Sequence, residues 1–140
     1  MEWSRTGLIE WTAAYSVGVA AIDQQHKGLI GQIRAFQEAM LEGRAAQSLD
    51  QILANLGAYT RVHFAFEEKL MEEHAYPETA THRAAHAGLT ERVEELQAQL
   101  GAGNTVPSTQ MMIFMRHWLT DHIVAVDKPL GGFLNLKGMR

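Results

Sequence analysis

Hydrophobic residues recur along this chain at the three- and four-residue spacing of amphipathic α-helices. In the segment from about residue 20 to residue 41, the apolar face is formed by Ile22, Leu29, Ile30, Ile33 and Phe36. Comparable segments cover about residues 48–75, 78–100 and 108–127. The pattern therefore predicts four helices.

Capping and helix-breaking residues set the expected ends of these helices. Ser48 is placed to act as the N-cap of the second helix, and Pro77 to end it. Pro129, followed by two glycines, is expected to end the fourth helix. Because short connections make neighbouring helices antiparallel, we predict an all-α, up-down-up-down four-helix bundle. An irregular N-terminal arm (1–19) and a short C-terminal tail (128–140) complete a single domain of residues 1–140.

Composition narrows the possible chemistry. The chain of 140 residues has no cysteine, which excludes disulfides, zinc–thiolate sites, iron–sulfur clusters and cysteine nucleophiles. A net charge of −4 without a basic run argues against a nucleic-acid partner. No uninterrupted apolar stretch is long enough for a membrane span, and the N-terminus lacks the pattern of a signal peptide. We expect a cytoplasmic protein in which nitrogen and oxygen atoms hold any metal.

The spacing of histidines and carboxylates indicates such a metal site. His63 and Glu67 are four residues apart on the second helix, as are His82 and His86 on the third. Residues at this spacing share one helix face and lie about 6 Å apart, which suits joint ligation of a metal.

The fourth and first helices supply further candidates. His122 and Asp127 are five residues apart, so they diverge on an ideal helix, and the carboxylate would reach towards a second metal. His26 is the candidate on the first helix. Residue counts from the first and third loops place all candidates at one level, about 24 Å from those loops. Counted from the connection between the second and third helices, the levels of the candidates on these two helices differ by about four residues. That turn is therefore expected to be slanted, or the boundary of the third helix to be misplaced.

Five imidazoles and two carboxylates exceed the needs of one metal and suit two six-coordinate ions that share carboxylate bridges. A ferritin-like site would need Glu-x-x-His pairs on two helices, and the sequence has no such pair. The donor set leaves the metal open, because imidazole and carboxylate also admit zinc, manganese or nickel.

The chain resembles bacterial members of the hemerythrin family over nearly its whole length. The matching motifs are Trp11…Tyr15-Ser-Val-Gly-Val19, Ile22-Asp23-Gln24-Gln25-His26, His63-Phe-Ala-Phe-Glu67, Tyr76-Pro77…His82-x-x-x-His86 and Trp118-Leu119-x-x-His122-Ile123-x-x-x-Asp127.

The resemblance implies two iron ions (Fe²⁺/Fe³⁺) joined by an oxo or hydroxo group. One iron would be held by His82, His86 and His122, and the other by His26 and His63. Glu67 and Asp127 would bridge them. Oxygen would bind reversibly, as hydroperoxide, at the open position of the two-histidine iron. We therefore expect a monomeric O2-binding protein for storage, delivery or sensing, with at most a weak peroxidase or oxidase side activity. Its expected protein partner is an oxygen-consuming enzyme or a reductase.

Reversible binding requires a dry pocket. The apolar residues expected to line it are Leu29, Phe64, Met71, Trp118, Leu119 and Ile123, each of which would also be an ordinary core residue. His74 is expected to lie near the end of the bundle, and His117 at the surface or at an interface between helices. Glu68, Glu72 and Glu73 are expected to form a solvated face. Asp23 could be an outer hydrogen-bond partner of a metal ligand, but a favourable charge in the first turn of its helix is the preferred interpretation.

Two other functions use the same residues. A di-iron peroxidase or a nitric-oxide-handling enzyme would result if the pocket admitted water or peroxide. A regulatory module would result if oxygen or the redox state changed a contact with a separate partner.

Overall fold

Helices dominate the computed structural model, which describes residues 8–42, 45–103 and 108–140. The main elements are α1 (Ala20–Leu41), α2 (Ala45–Glu73), α3 (Thr79–Gly101), α4 (Ser108–His122) and α5 (Lys128–Leu136). The first four pack as the predicted all-α four-helix bundle, with α2 against α1 and α3, and with α4 against α1. No helix in the described ranges is both long enough and apolar enough to cross a bilayer.

The apolar stripes of the helices meet in one continuous core. Its fully buried side chains include Ile22, Leu29, Ile33, Phe36, Leu53, Leu56, Met71, Met115, Leu119 and Ile123. The core runs above and below a layer of buried histidines and carboxylates, so hydrophobic packing encloses the polar residues.

The bounds of α2 differ from the expected ones by two or three residues, and those of α3 by one residue. The second helix begins at Ala45, so Ser48 lies inside α2 and does not precede it as an N-cap. It ends at Glu73, because Ala75 adopts a left-handed backbone (φ 52°) in the turn to α3. This turn is closed by the hydroxyl of Thr79, which donates a hydrogen bond to the carbonyl of Tyr76.

The C-terminal segment differs from the expected short tail. A π-helical turn, Ile123–Asp127, joins α4 directly to α5, which continues to Leu136. Pro129 does not break the helix: it lies directly after the π turn, in the first turn of α5, and helical structure continues to Leu136. Leu130 and Leu134 bury the inner face of α5 in the core.

The described part of the N-terminal arm, residues 8–19, lies across the bundle and contains a short 3-10 turn, Ala13–Tyr15; residues 1–7 fall outside the described ranges. The carboxylate of Asp23 accepts hydrogen bonds from the Ser16 hydroxyl and the Val17 amide. Asp23 thus joins the arm to the first turn of α1. The side-chain amide of Asn135 donates to the carbonyl oxygen of Gly18, which connects the arm to α5.

Candidate metal centre

The seven candidate ligands meet in the middle of the bundle, although they come from all four helices of the bundle and the π turn. They are His26, His63, Glu67, His82, His86, His122 and Asp127, and all are buried. The i,i+4 pairs on α2 and α3 project their side chains inward from one face of each helix.

His26 and His63 face one oxygen of each carboxylate. His26 Nε2 lies 2.9 Å from Asp127 Oδ2 and 3.5 Å from Glu67 Oε2. His63 Nε2 lies 3.2 Å from the same oxygen of Glu67. Ligand atoms of these four residues all lie within 4.8 Å of one another, so they form one group of potential metal ligands.

The other three histidines face the second oxygen of each carboxylate. His82 Nε2 lies 3.3 Å from Glu67 Oε1 and 3.0 Å from Asp127 Oδ1. His86 Nε2 lies 2.9 Å from Glu67 Oε1, and His122 Nε2 lies 3.0 Å from Asp127 Oδ1. These five residues form a second group with ligand atoms within 4.8 Å of one another. Two adjoining metal positions therefore share both carboxylates.

The π-helical turn brings His122 and Asp127 together. Five residues separate them, and on a regular α-helix their side chains would diverge by about 140°. The wider turn, in which Lys128 N–H donates to the carbonyl of Ile123, places both side chains on the inner face of the bundle. The regular helix assumed from the sequence therefore does not hold between these two residues, while Asp127 does reach the two-histidine group, with Oδ2 2.9 Å from His26 Nε2.

Many buried polar atoms at this centre lie 2.9–3.5 Å from one another without forming a hydrogen bond of regular geometry among the described residues. They include the Nε2 atoms of His26, His63, His82 and His122, together with Glu67 Oε2 and both carboxylate oxygens of Asp127. An unpartnered buried polar group costs about 1–3 kcal/mol, and more when it is charged. A first-row metal ion accepts lone pairs from both imidazole and carboxylate, so the donor set fits metal ions at the two positions.

Without metal ions, imidazoles of the centre carry protons instead. Burial lowers the pKa of His26 and of His82, but contacts with Asp127 and Glu67 outweigh it and raise both pKa values to about 9. Burial favours the protonated forms of Glu67 and Asp127, whereas the surrounding imidazoles hold both carboxyl pKa values below their usual range. The metal-free centre thus pairs ionised carboxylates with protonated imidazoles.

Two histidines are held through their second ring nitrogen by residues that the sequence analysis did not assign to the site. His63 Nδ1 lies 2.6 Å from Gln25 Oε1, and His86 Nδ1 lies 2.9 Å from Glu68 Oε2. In each case an Nδ1–H that donates outward leaves the Nε2 lone pair directed at the centre. The prediction that Glu68 is merely solvated is wrong, because it reaches from α2 to α3. Its place beside Glu67 was the available signal.

The apolar residues expected around an oxygen pocket are all buried: Leu29, Phe64, Met71, Trp118, Leu119 and Ile123. Phe64 contacts the centre directly, because its ring stacks on the imidazole of His86. Trp118 lies on the three-histidine side, where its Nε1 donates to the carbonyl of Leu89 and its ring lines an open cavity beside His122.

The two remaining histidines lie away from the centre. His74 Nδ1 lies 2.9 Å from the carbonyl oxygen of Leu70, near the end of α2. His117 is exposed and lies 3.6 Å from Asp121 on the same helix. Neither contributes to the two groups of metal-ligand atoms.

A four-helix bundle that arranges five imidazoles around two shared carboxylates has the donor set of a histidine-rich metal-binding protein. Residues 17–134 match the family described as Hemerythrin HHE cation binding domain. The chain belongs to the hemerythrin family.

Curated relatives and solved structures agree with this assignment. The chain is 32% identical over 124 residues to a bacteriohemerythrin of Stenotrophomonas maltophilia, covering 86% of this chain and 78% of the relative. It is 31% identical over 129 residues to a bacteriohemerythrin of Methylococcus capsulatus, covering 91% and 98%. A crystal structure of wild-type hemerythrin, 31% identical, superposes with a TM-score of 0.83 and likewise covers 91% of this chain and 98% of that one.

Proposed function

We propose that this protein binds molecular oxygen reversibly at a non-haem di-iron centre, for oxygen storage, delivery or sensing. The observation that carries the proposal is the division of Glu67 and Asp127 between a three-histidine and a two-histidine group. When bound, two iron ions supply a redox-active pair that takes up oxygen and releases it.

The unequal numbers of histidines make the two positions chemically different. The position of His26 and His63 has four protein donors, counting one oxygen from each carboxylate, whereas the other has five. A six-coordinate ion at the four-donor position has more room for an exogenous ligand. We therefore assign oxygen binding to the two-histidine position, with all seven side chains as iron ligands.

The surrounding side chains keep water from this position. His26 and Glu67 are fully buried, and so are Leu29 and Met71, which follow these two residues by one helical turn on the same helix faces. Because water and protons favour irreversible oxidation of ferrous iron, this burial favours reversible binding over turnover. We assign the pocket to the apolar residues named above other than Trp118, which lines the open cavity on the three-histidine side.

Iron analysis, combined with absorption spectra through a cycle of deoxygenation and reoxygenation, tests the proposal. We expect two iron ions per chain and a visible charge-transfer band that appears with oxygen and disappears under argon. An iron content near one, or a spectrum that does not respond to oxygen, would contradict it. Steady turnover of peroxide or nitric oxide with a reductant, faster than autoxidation, would indicate an enzyme instead.

A further inference from the structure

The two metal positions differ in the groups that hold their histidines from outside. On the two-histidine side, the Nδ1–H of His63 donates to the neutral side-chain amide of Gln25. On the three-histidine side, the Nδ1–H of His86 donates to Glu68, a carboxylate.

The negative charge of Glu68 is held in place by arginine. Arg83 Nε lies 3.4 Å from Glu68 Oε1, while the other oxygen, Oε2, accepts from His86. Arg83 also approaches Glu72 at 3.8 Å. This arrangement keeps Glu68 in reach of the imidazole, and the acceptor on the opposite metal position, Gln25, carries no charge.

We propose that Glu68 is a positioning residue that makes the three-histidine metal position the more electron-rich of the two. A carboxylate that accepts the Nδ1–H of a ligand imidazole increases the basicity of that ligand, and a neutral amide does so less. The inference rests on the proposed di-iron function. When an external one-electron oxidant withdraws electrons from the diferrous form, the first electron leaves the three-histidine iron and the second leaves the two-histidine iron.

Substitution of Glu68 by glutamine tests this role, because Glu68→Gln keeps the shape and an acceptor oxygen but removes the charge. We expect an anaerobic redox titration of the iron-loaded variant to show that the iron oxidised first favours its ferric form about tenfold less than in the unsubstituted protein. This corresponds to a rise of about 59 mV in the first potential and a smaller separation between the two potentials.

Glu72→Gln is the matched control. Glu72 is 77% exposed and pairs with the same arginine, but its carboxylate is not the partner of His86. The control removes one charge from the same surface and should leave the separation of the two potentials unchanged. Equal effects of the two substitutions, or no effect of Glu68→Gln, would overturn the proposal.

The reciprocal change is Gln25→Glu, which places a carboxylate on His63. It should lower the potential of the two-histidine iron, which is the second to be oxidised. The two potentials should therefore again lie closer together, this time because the higher one falls. If this variant does not fold, the comparison of Glu68→Gln with Glu72→Gln decides the question alone.

Zinc binding separates this inference from the proposed function. In competition with a chelator, Glu68→Gln should weaken one of two Zn²⁺ binding steps by about tenfold, and Glu72→Gln should weaken neither. A protein that takes up two metal ions but shows no oxygen-dependent band would overturn the proposed function and leave this test decisive. Unchanged zinc affinities in Glu68→Gln would overturn the inference, whatever the response to oxygen.

Discussion

The phenyl ring of Phe64 lies parallel to the imidazole of His86, with 5° between the planes and 3.8 Å between the centroids. Phe64 directly follows His63 on α2, whereas His86 belongs to α3, so one aromatic side chain adjoins a histidine of each group. Phe64 is a buried core residue that also fixes the orientation of the His86 imidazole, a proposed metal ligand.

Truncation of this side chain should affect both stability and the metal centre. Phe64→Ala removes the stack and leaves a cavity, so we expect the free energy of unfolding to fall by about 3–5 kcal/mol. Oxidation of the diferrous form to an unresponsive diferric form should also accelerate. Equilibrium denaturant unfolding and repeated oxygen cycles measure the two effects. Phe64→Leu, which keeps most of the volume, should lose less stability, and equal losses would contradict the packing argument.

Removal of a shared carboxylate should prevent occupation of both metal positions. Glu67→Gln leaves an amide where two oxygens face both groups of histidines, so iron content should fall well below two ions per chain. The affinity loss should exceed the roughly 10–100-fold typical of losing an outer hydrogen-bond partner. Elemental analysis after reconstitution gives the count. Glu73→Gln, on the exposed side of α2, is the control and should load normally.

A methyl group on α5 should displace the N-terminal arm. A Cβ atom at Gly131 would overlap the carbonyl oxygen of Val17 and lie 2.8 Å from its carbonyl carbon. Gly131→Ala should therefore cost about 1–3 kcal/mol of stability, the range for overpacking. At Gly132, the next residue, a Cβ would meet nothing within 4 Å. Gly132→Ala should be neutral or stabilising by up to about 1 kcal/mol. Thermal unfolding of both variants checks the contrast, which would disappear if the arm did not pack on α5.

The hydroxyl of Thr60 is a polar group inside the apolar core. It is 1% exposed and has no hydrogen-bond partner among the described residues. Thr60→Val should raise the free energy of unfolding by about 1 kcal/mol, because it removes an unpaired buried hydroxyl at nearly constant volume. Urea unfolding measures this, with the exposed Thr81→Val as a control expected to change little. A loss of stability would show that the hydroxyl is paired in solution.

Metal uptake should release protons, because the pKa values of His26 and His82 in the metal-free protein are about 9. Below that pH both imidazoles hold protons that a metal must displace, so the apparent affinity should rise from pH 6 towards pH 9 and level off above it. Calorimetry with Zn²⁺ in buffers of different ionisation enthalpy measures the release at pH 7. Binding heats that do not depend on the buffer would contradict the predicted protonation.

The sequence indicated the candidate ligands because their spacing is a local property. His82 and His86, like His63 and Glu67, share a helix face wherever that helix forms. The same local logic predicted the four apolar stripes, and four such stripes with short loops leave few arrangements other than an antiparallel bundle. It could not place Glu68, because the partner of that carboxylate lies 18 residues away on another helix.

The amino-acid sequence by itself determined the helices, the bundle and the chemical nature of a nitrogen- and oxygen-donor centre. Only the tertiary structure showed how Glu67 and Asp127 divide their oxygens, and that a π turn aligns Asp127 with His122. It also showed that helix continues past Pro129. The physical reason is that helical periodicity follows from neighbouring residues, whereas a local change of helical pitch and the choice of an outer hydrogen-bond partner depend on packing between distant segments.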